Sequence, residues 1–322
     1  MSMIDRVLVS GATGLIGSAL VRSFAGEGRS VVAAARNVEK AQAMFGGLAN
    51  VEIVEWDVTQ PFRVPPGTRF DWFVHAASET ASRAFVERPV ETVRSILRGT
   101  ENALEVARAA KVGSMVFLST MEVYGVPAAD PVKEGDYGYL DPVAVRSCYP
   151  EAKRMAENLC VSYAKECGVP VKIARLTQTF GEGVAYGDAR VFAAFARAII
   201  EKRDIVLKTE GTTARCYCYL GDAVAAIKTI LERGEIAVPY TVANEETFCT
   251  IREMAETLCS AHPESGSKVA FDFTDADSQG FAPPFRMRLD CSRLRALGWS
   301  PKLGLMEMFD RMMASMRLQP NS

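Results

Sequence analysis

The chain has 322 residues, of which 48% are hydrophobic and 24% are charged, as in an ordinary globular protein with a large core. Its 37 basic and 39 acidic side chains leave a formal net charge of −2, so no global field would draw it to nucleic acid or an anionic membrane. No apolar run approaches the roughly 20 residues of a membrane span, and the N-terminus lacks a signal-peptide profile. A cytoplasmic protein with neither a nucleic-acid nor a membrane partner is therefore expected.

The eight cysteines are scattered along the chain, and His75 and His262 are its only two histidines. Because no Cys-x-x-Cys pair is present, zinc-type ligand spacing is missing. We expect reduced thiols and no metal site.

Short apolar runs alternate with helix-like stretches through the first half of the chain, a pattern that predicts parallel strands joined by right-handed crossovers. The predicted strands are Arg6–Ser10, Ser30–Ala35, Val51–Trp56, Trp72–Ala76, Met115–Thr120 and Val171–Leu176, and the predicted helices between them are Leu15–Gly26, Val38–Phe45, Val90–Ala110 and Tyr149–Cys167. The expected fold class is α/β, a Rossmann doubly wound parallel sheet.

The pattern changes beyond about residue 180, where longer helices are separated by short strands. The sequence predicts a helix over Ala189–Lys202, a strand near Ile205–Leu207 and a helix that starts near Asp222. Thr250 and Glu253 have the spacing of a capping box at the start of a further helix. This part is expected to form a smaller C-terminal α/β substrate-binding lobe. The predicted division assigns residues 1–178 and about 216–245 to the dinucleotide-binding domain, and residues 179–215 and 246–322 to the lobe.

Three spaced glycines follow the first strand directly, at Gly11, Gly14 and Gly17. Gly11 permits a tight turn, Gly14 lets the backbone approach a pyrophosphate, and Gly17 lets the helix pack closely on the strand. The helix N-terminus then faces the anion, where free N–H groups favour negative charge. This position at the start of a βα pattern predicts a dinucleotide site; the alternative is a purely structural turn.

The end of the second predicted strand bears on the choice of cofactor, because an acidic side chain there accepts a hydrogen bond from the ribose 2′-hydroxyl of NAD. Ala35 and Arg36 occupy this place. Since Arg36 could pair with a 2′-phosphate, NADP is favoured over NAD. The alternative is that Arg36 is a solvated surface charge and NAD binds without the acidic clamp.

Tyr149 and Lys153 lie one turn apart on one face of a predicted helix. An ammonium near a phenol would lower its pKa from about 10 towards the working pH, which gives a usable general acid/base. By itself, this spacing is common on ordinary helix surfaces.

Several motifs together make the spacing more specific, and with them the sequence resembles the extended short-chain dehydrogenase/reductase family, the NAD-dependent epimerase/dehydratases. The motifs are Gly11 to Gly17, Asp57-Val58-Thr59, His75-Ala76-Ala77, Ser119 to Gly125, Tyr149 to Lys153, Arg175-Leu176, Arg215-Cys216-Tyr217 with Asp222, and Leu297 to Pro301. They span nearly the whole chain in the family's order. Subsets also resemble UDP-glucuronate decarboxylases and dTDP-glucose 4,6-dehydratases.

The resemblance implies a role for each matching residue, and His75 is expected to be structural. The implied catalytic residues are Thr120, Tyr149, Lys153 and, as a second base, Glu122; the implied cofactor-binding residues are Gly11, Thr13, Gly14, Leu15, Ile16, Gly17, Arg36, Asp57, Val58, Ala76, Ala77, Lys153 and Leu176; the implied substrate-binding residues are Gln178, Arg190, Val191 and Arg215. For each arginine, the alternative is an ordinary surface ion pair.

Departures from the family pattern leave the exact reaction open. Met121 stands where 4,6-dehydratases carry an aspartate, and a thioether cannot deliver a proton to a leaving hydroxyl. Gln178 and Ile96 stand where the family usually has asparagine. The expected function is hydride transfer at C4 of a sugar nucleotide, of the epimerase or decarboxylase type.

Two other functions stay open. One is an NADPH-dependent reductase of a 4-keto sugar nucleotide or of a non-nucleotide ketone, which Arg36 would suit. The other is a non-catalytic dinucleotide-binding protein. The family likeness also implies a homodimer through the helices Val90–Ala110 and Tyr149–Cys167.

Overall fold

A sheet of seven parallel strands lies at the centre of the structure, a computed structural model that describes residues 6–273 and 285–319. Its strands are β1 (Arg6–Ser10), β2 (Ser30–Ala35), β3 (Val51–Glu55), β4 (Trp72–His75), β5 (Ser114–Thr120), β6 (Val171–Leu176) and β10 (Pro239–Val242). They lie in the order β10-β6-β5-β4-β1-β2-β3. The chain thus reverses direction across the sheet between β1 and β4, which opens a crevice at the carboxyl ends of these strands.

Helices cover both faces of this sheet because its strands are buried on both sides. One face packs against α1 (Leu15–Gly26), α2 (Val38–Phe45) and α7 (Leu220–Arg233). The other packs against α3 (Ser82–Glu87), α4 (Pro89–Ala109) and α5 (Cys148–Cys167). The predicted doubly wound Rossmann sheet is confirmed.

A smaller sheet follows in the second part of the chain. Its strands are β7 (Gln178–Phe180), β9 (Ala214–Tyr219), β11 (Asn244–Thr250) and β13 (Arg286–Met287), and β8 (Ile205–Leu207) pairs separately with β12 (Val269–Phe271). The helices here are α6 (Val191–Ile200), α8 (Ile251–Ala261), α9 (Ser292–Ala296) and α10 (Leu305–Arg317). Phe180, Phe192 and Met312 belong to a third apolar cluster, which joins α6, α8 and α10 to this sheet.

The path of the chain between the two sheets bears on the predicted domain bounds. Strand β10 pairs within the large sheet, and helix α7 packs against strands β5 and β6 of that sheet. Strand β9, which comes just before α7, pairs within the small sheet. Of the predicted lobe, residues 274–284 and 320–322 lie outside the described residues. The domain division therefore stays a prediction.

Local signals in the second part proved accurate. The Thr250 hydroxyl accepts a hydrogen bond from the Glu253 N–H at 3.0 Å, and the Glu253 carboxylate accepts one from the Thr250 N–H at 2.7 Å. This capping box starts α8 as predicted. Helix α6 is shorter than predicted, because Arg190 has an extended backbone and forms its N-cap.

No helix within the described residues is both long enough and apolar enough to cross a membrane.

Candidate active site

The turn between β1 and α1 packs so closely on neighbouring backbone that a Cβ atom has no room at Gly11 or at Gly17. Gly11 has φ +71°, and a Cβ atom there would lie 2.6 Å from the backbone nitrogen of Ala77. A Cβ on Gly17 would lie 2.2 Å from the carbonyl oxygen of Gly11. Gly14 is the N-cap of α1, and no side chain caps the helix. The first-turn N–H groups of α1 are thus available to an anion, which fits the pyrophosphate of a dinucleotide.

A cavity of about 400 Å³ lies against this turn. The predicted cofactor residues that line it are Gly11, Thr13, Gly14, Arg36, Asp57, Val58, Ala76 and Ala77. The other predicted cofactor residues, Leu15, Ile16, Gly17, Lys153 and Leu176, are not part of its lining. Leu15, Ile16 and Gly17 form the first turn of α1, and Leu176 ends β6.

Basic and polar side chains border the cavity beyond β2. Arg36 and Lys40 are exposed there, and the Asn37 side chain caps α2 by accepting a hydrogen bond from the Lys40 N–H at 2.7 Å. Across the cavity, the Asp57 carboxylate accepts hydrogen bonds from the Thr59 N–H at 2.9 Å and its hydroxyl at 2.8 Å. The end of β2 therefore carries positive charge where an NAD clamp would carry negative charge.

Thr120 and Tyr149 come together at the carboxyl edge of the large sheet. Thr120 ends β5, beside Leu176 on β6, and its side chain lies close enough to the Tyr149 phenol to lower the pKa of that group. The Tyr149 ring is buried and stacks on Phe85 of α3, with ring centroids 4.2 Å apart. Burial raises the pKa of the Tyr149 phenol, and the nearby Glu122 carboxylate raises it further. The phenol is thus a protonated group at neutral pH.

Lys153 lies beside this pair and is directed at β5. Its Nζ donates a hydrogen bond to the Leu118 carbonyl at 2.8 Å and lies 4.7 Å from the Phe117 ring centroid. Burial lowers the pKa of Lys153 to about 8. The expected lowering of the phenol pKa is therefore not found, because burial of Tyr149 raises that pKa instead.

Glu122 and Arg146 form an ion pair next to the Tyr149 and Phe85 rings that the sequence did not predict. The Arg146 Nη2 lies 3.0 Å from the Glu122 Oε2. The Arg146 guanidinium also lies 4.8 Å from the centroid of the Phe85 ring, and this ring stacks on Tyr149. Phe85 was missed because α3 has only six residues and no readable apolar period.

His75 is buried at the end of β4, where its Nδ1 lies 2.7 Å from the Ser10 hydroxyl. Burial, and then the charge of Lys153, lower the pKa of His75 to about 3. A neutral, packed imidazole fits the expected structural role.

The predicted substrate residues lie on the small sheet and on α6. Gln178 pairs in register with Tyr217, and Arg215 lies two residues before Tyr217 on β9. The Arg215 Nε is buried without a hydrogen-bond partner in the described structure. Arg190 forms an ion pair with Asp188 at 2.6 Å, as the alternative allowed, and Val191 packs against the third apolar cluster. The unpartnered nitrogen makes Arg215 the better anion ligand of the two arginines.

Comparison with known proteins identifies the family of this chain. Residues 7–244 match the model of the NAD dependent epimerase/dehydratase family. The chain belongs to this family. The predicted extended short-chain dehydrogenase/reductase, an enzyme, is thereby confirmed.

Relatives across the whole chain agree with this assignment. UDP-glucuronic acid decarboxylase 3 from Arabidopsis thaliana is 31% identical over 98% of this chain and 90% of its own length. UDP-glucuronic acid decarboxylase 1 from Danio rerio is 30% identical over 94% of this chain and 70% of its own length.

Solved structures share the fold. A UDP-N-acetylglucosamine 4-epimerase from Methanobrevibacter ruminantium has a TM-score of 0.84 at 19% identity, covering 98% of this chain and 99% of its own. A UDP-glucuronic acid 4-epimerase from Bacillus cereus, in complex with NAD, has a TM-score of 0.80 at 18% identity, covering 97% and 98%.

Proposed function

We propose that this enzyme modifies a sugar nucleotide by hydride transfer at the sugar C4, with Tyr149 as the acid/base. The observation that carries the proposal is that the Thr120 side chain, at the end of β5, lies close to the buried Tyr149 phenol. This pair lies at the same sheet edge as the glycine turn, because β5 and β1 flank β4. This arrangement supports the proposal, because the chemistry requires a proton carrier next to the bound dinucleotide.

The residues of the site divide the work. Tyr149 exchanges a proton with the sugar hydroxyl, and Thr120 can hold that oxygen because a hydroxyl both donates and accepts. Lys153 supplies positive charge near the phenol, and Glu122 is available as a second base. The glycine turn would hold the pyrophosphate of a dinucleotide, and the other residues of the cavity would hold the rest of it, so that its nicotinamide would supply the acceptor and donor of the hydride.

The epimerase or decarboxylase type is favoured over 4,6-dehydration. Met121 is buried and its sulfur accepts a hydrogen bond from the Thr177 hydroxyl at 3.2 Å, so the position of the dehydratase aspartate holds no proton donor. The similarity to UDP-glucuronic acid decarboxylases supports the decarboxylase branch in particular.

Ligand binding provides the test of the substrate class. In a thermal-shift panel of UDP, dTDP, GDP and CDP, we expect one nucleotide to stabilise the protein by roughly 2.7 kcal/mol at about a hundred times its Kd. The buried, unpartnered Arg215 Nε is the reason to expect a diphosphate to bind there. Absence of a shift with all four nucleotides would favour a non-nucleotide alcohol or ketone instead.

An NADPH-dependent 4-keto reductase is the second candidate, and the exposed Arg36 at the cavity favours it. A preference for NADP over NAD is part of this proposal, since no acidic side chain follows β2 directly. A non-catalytic dinucleotide-binding role is weaker, because a sensor needs no proton-transfer pair.

Arg36→Ala is expected to weaken NADP binding about tenfold or more and to leave NAD binding unchanged, since one charge-assisted hydrogen bond contributes roughly 1.5–3 kcal/mol. Fluorescence titration of both cofactors measures this. Arg22→Ala is the matched control, because Arg22 lies outside the cavity and donates to the Met44 carbonyl. Equal weakening of both cofactors, or tighter binding of NAD by the unaltered enzyme, would contradict the assignment.

A cytoplasmic location and a homodimer remain part of the proposal. Helices α4 and α5 pack against each other, and Val90, Met155 and Val161 are exposed on them. Sedimentation at micromolar concentration would measure the oligomeric state.

A further inference from the structure

Glu157 lies one turn after Lys153 on α5, and its carboxylate is buried and fully engaged. One oxygen accepts a hydrogen bond from the Ser119 hydroxyl at 2.5 Å. Arg175, from β6, donates to the same oxygen from Nε at 3.0 Å and to the other from Nη2 at 2.7 Å. The side chains of Arg175 and Glu157 are only 1% and 8% exposed. The carboxylate therefore has one orientation.

Arg175 is itself fixed from the other side. Its Nη1 donates to the Glu134 carbonyl at 2.8 Å, and its Nη2 donates to the Tyr137 hydroxyl at 2.5 Å. Its guanidinium also lies 4.9 Å from the Tyr124 ring centroid. Because these contacts come from the segment that follows β5, Arg175 ties that segment to β6 and to α5 through Glu157.

Lys153 lies next to the Ser119 end of this clamp, because its Nζ donates a hydrogen bond to the carbonyl of Leu118, the residue before Ser119. Around the ammonium, His75 on β4 is neutral, and the Tyr149 and Cys160 side chains on α5 are kept protonated by burial. Of the groups that favour its charged form, Glu157 carries the formal negative charge. A buried ammonium on a neutral carbonyl depends strongly on such a charge.

We propose that Glu157 is a positioning residue for the reaction: its carboxylate, clamped by Arg175 and Ser119, keeps Lys153 cationic and fixes the end of β5 that carries Thr120. The inference rests on the roles proposed above for Lys153 and Thr120. It adds that Glu157, on the same helix as Lys153, supplies the negative charge that stabilises the Lys153 ammonium. It also adds that the contacts of Glu157 with Arg175 and Ser119 set the positions of Lys153 and Thr120.

Glu157→Gln tests the charge, because glutamine retains the size and one accepting oxygen. We expect the titration midpoint of Lys153, followed by NMR of isotope-labelled lysine and assigned with Lys153→Met, to fall by about one unit or more. The alkaline limb of kcat should move down by the same amount. Glu157→Asp, which keeps the charge, should largely restore both values.

The matched control is Glu105→Gln, which also removes a carboxylate hydrogen-bonded to α5, through the Tyr163 hydroxyl at 2.9 Å, and is expected to leave the Lys153 midpoint unchanged. Should Glu157→Gln fail to fold with Arg175 uncompensated, the double variant Glu157→Gln/Arg175→Gln removes both buried charges; its midpoint is expected to fall by less than in Glu157→Gln, because loss of the Arg175 cation offsets part of the loss of the carboxylate.

A lower melting temperature with a midpoint that stays within about 0.3 of a unit in the folded variants would overturn the inference and leave Glu157 purely structural. The NMR titration needs no turnover, so it is independent of the proposed reaction. Retained activity in Tyr149→Phe would sink the proposed function while leaving the Lys153 midpoint to decide the role of Glu157.

Discussion

Tyr149→Phe is expected to lower kcat by about 10²- to 10⁴-fold, the usual contribution of a positioned general acid or base. The substitution removes the phenol oxygen that lies near Thr120, but it keeps the ring that stacks on Phe85. Packing is therefore preserved and the proton carrier is lost. Turnover of sugar nucleotides that carry the nucleoside diphosphate identified in the ligand panel is measured beside cofactor affinity, which should change little.

Tyr163→Phe is the matched control for this experiment. Tyr163 also lies on α5, and its hydroxyl donates to Glu105 at 2.9 Å, away from the cavity. We expect turnover close to that of the unaltered enzyme. If Tyr149→Phe retained a similar rate, the acid/base role would have to be given up, whereas a loss in both variants would indicate a structural cause.

The large sheet could be predicted from the sequence because each of its signals is local. The apolar run Ser30–Ala35 is bounded by polar residues and buried along nearly all its length, so its ends are visible. The glycines at Gly11 and Gly17 mark the strand-to-helix junction, because the backbone there approaches other backbone atoms too closely for a Cβ atom. Pattern and structure agree here because backbone sterics and burial decide the outcome within a few residues.

The small sheet was harder to predict because its pairings are short and distant in sequence. Strands β7 and β13 have three and two residues, too few for an alternating pattern to appear. Asp222 illustrates the same point, since its carboxylate accepts hydrogen bonds from the Lys302 and Leu303 N–H groups at 2.9 and 3.2 Å. Such contacts across eighty positions leave no local trace in the sequence.

The candidate site divides in the same way. Tyr149 and Lys153 could be proposed because both lie on one helix face, but the stack on Phe85 and the clamp of Glu157 by Arg175 come from other elements. A glutamate on an amphipathic helix suggests solvated surface, since charges are rarely buried unless paired, and the pairing partner on β6 is distant from that helix face in the sequence pattern. The spacing of Glu157 one turn after Lys153 was the available signal, yet it does not reveal burial.

Gly11→Ala is expected to weaken dinucleotide binding by at least about tenfold, or 1.4 kcal/mol, and to lower the melting temperature. The added Cβ would lie 2.6 Å from the Ala77 nitrogen and 2.7 Å from the Ala76 carbonyl carbon. Because both neighbours are backbone atoms, the turn after β1 and the chain after β4 must separate. Both segments line the cavity, so its shape changes where a pyrophosphate would approach. Calorimetric titration of the cofactor measures the loss.

Gly28→Ala separates this clash from backbone strain. Gly28 has φ +79°, close to the +71° of Gly11, but a Cβ there would meet nothing within 4 Å. An alanine at either position has a left-handed backbone, which costs roughly 1–2 kcal/mol of stability. At position 28, this loss of stability occurs without any change to the cavity. Cofactor affinity should therefore fall in Gly11→Ala alone. An equal loss in both variants would mean that general destabilisation, and not the close approach of Gly11 to Ala77, governs binding at this turn.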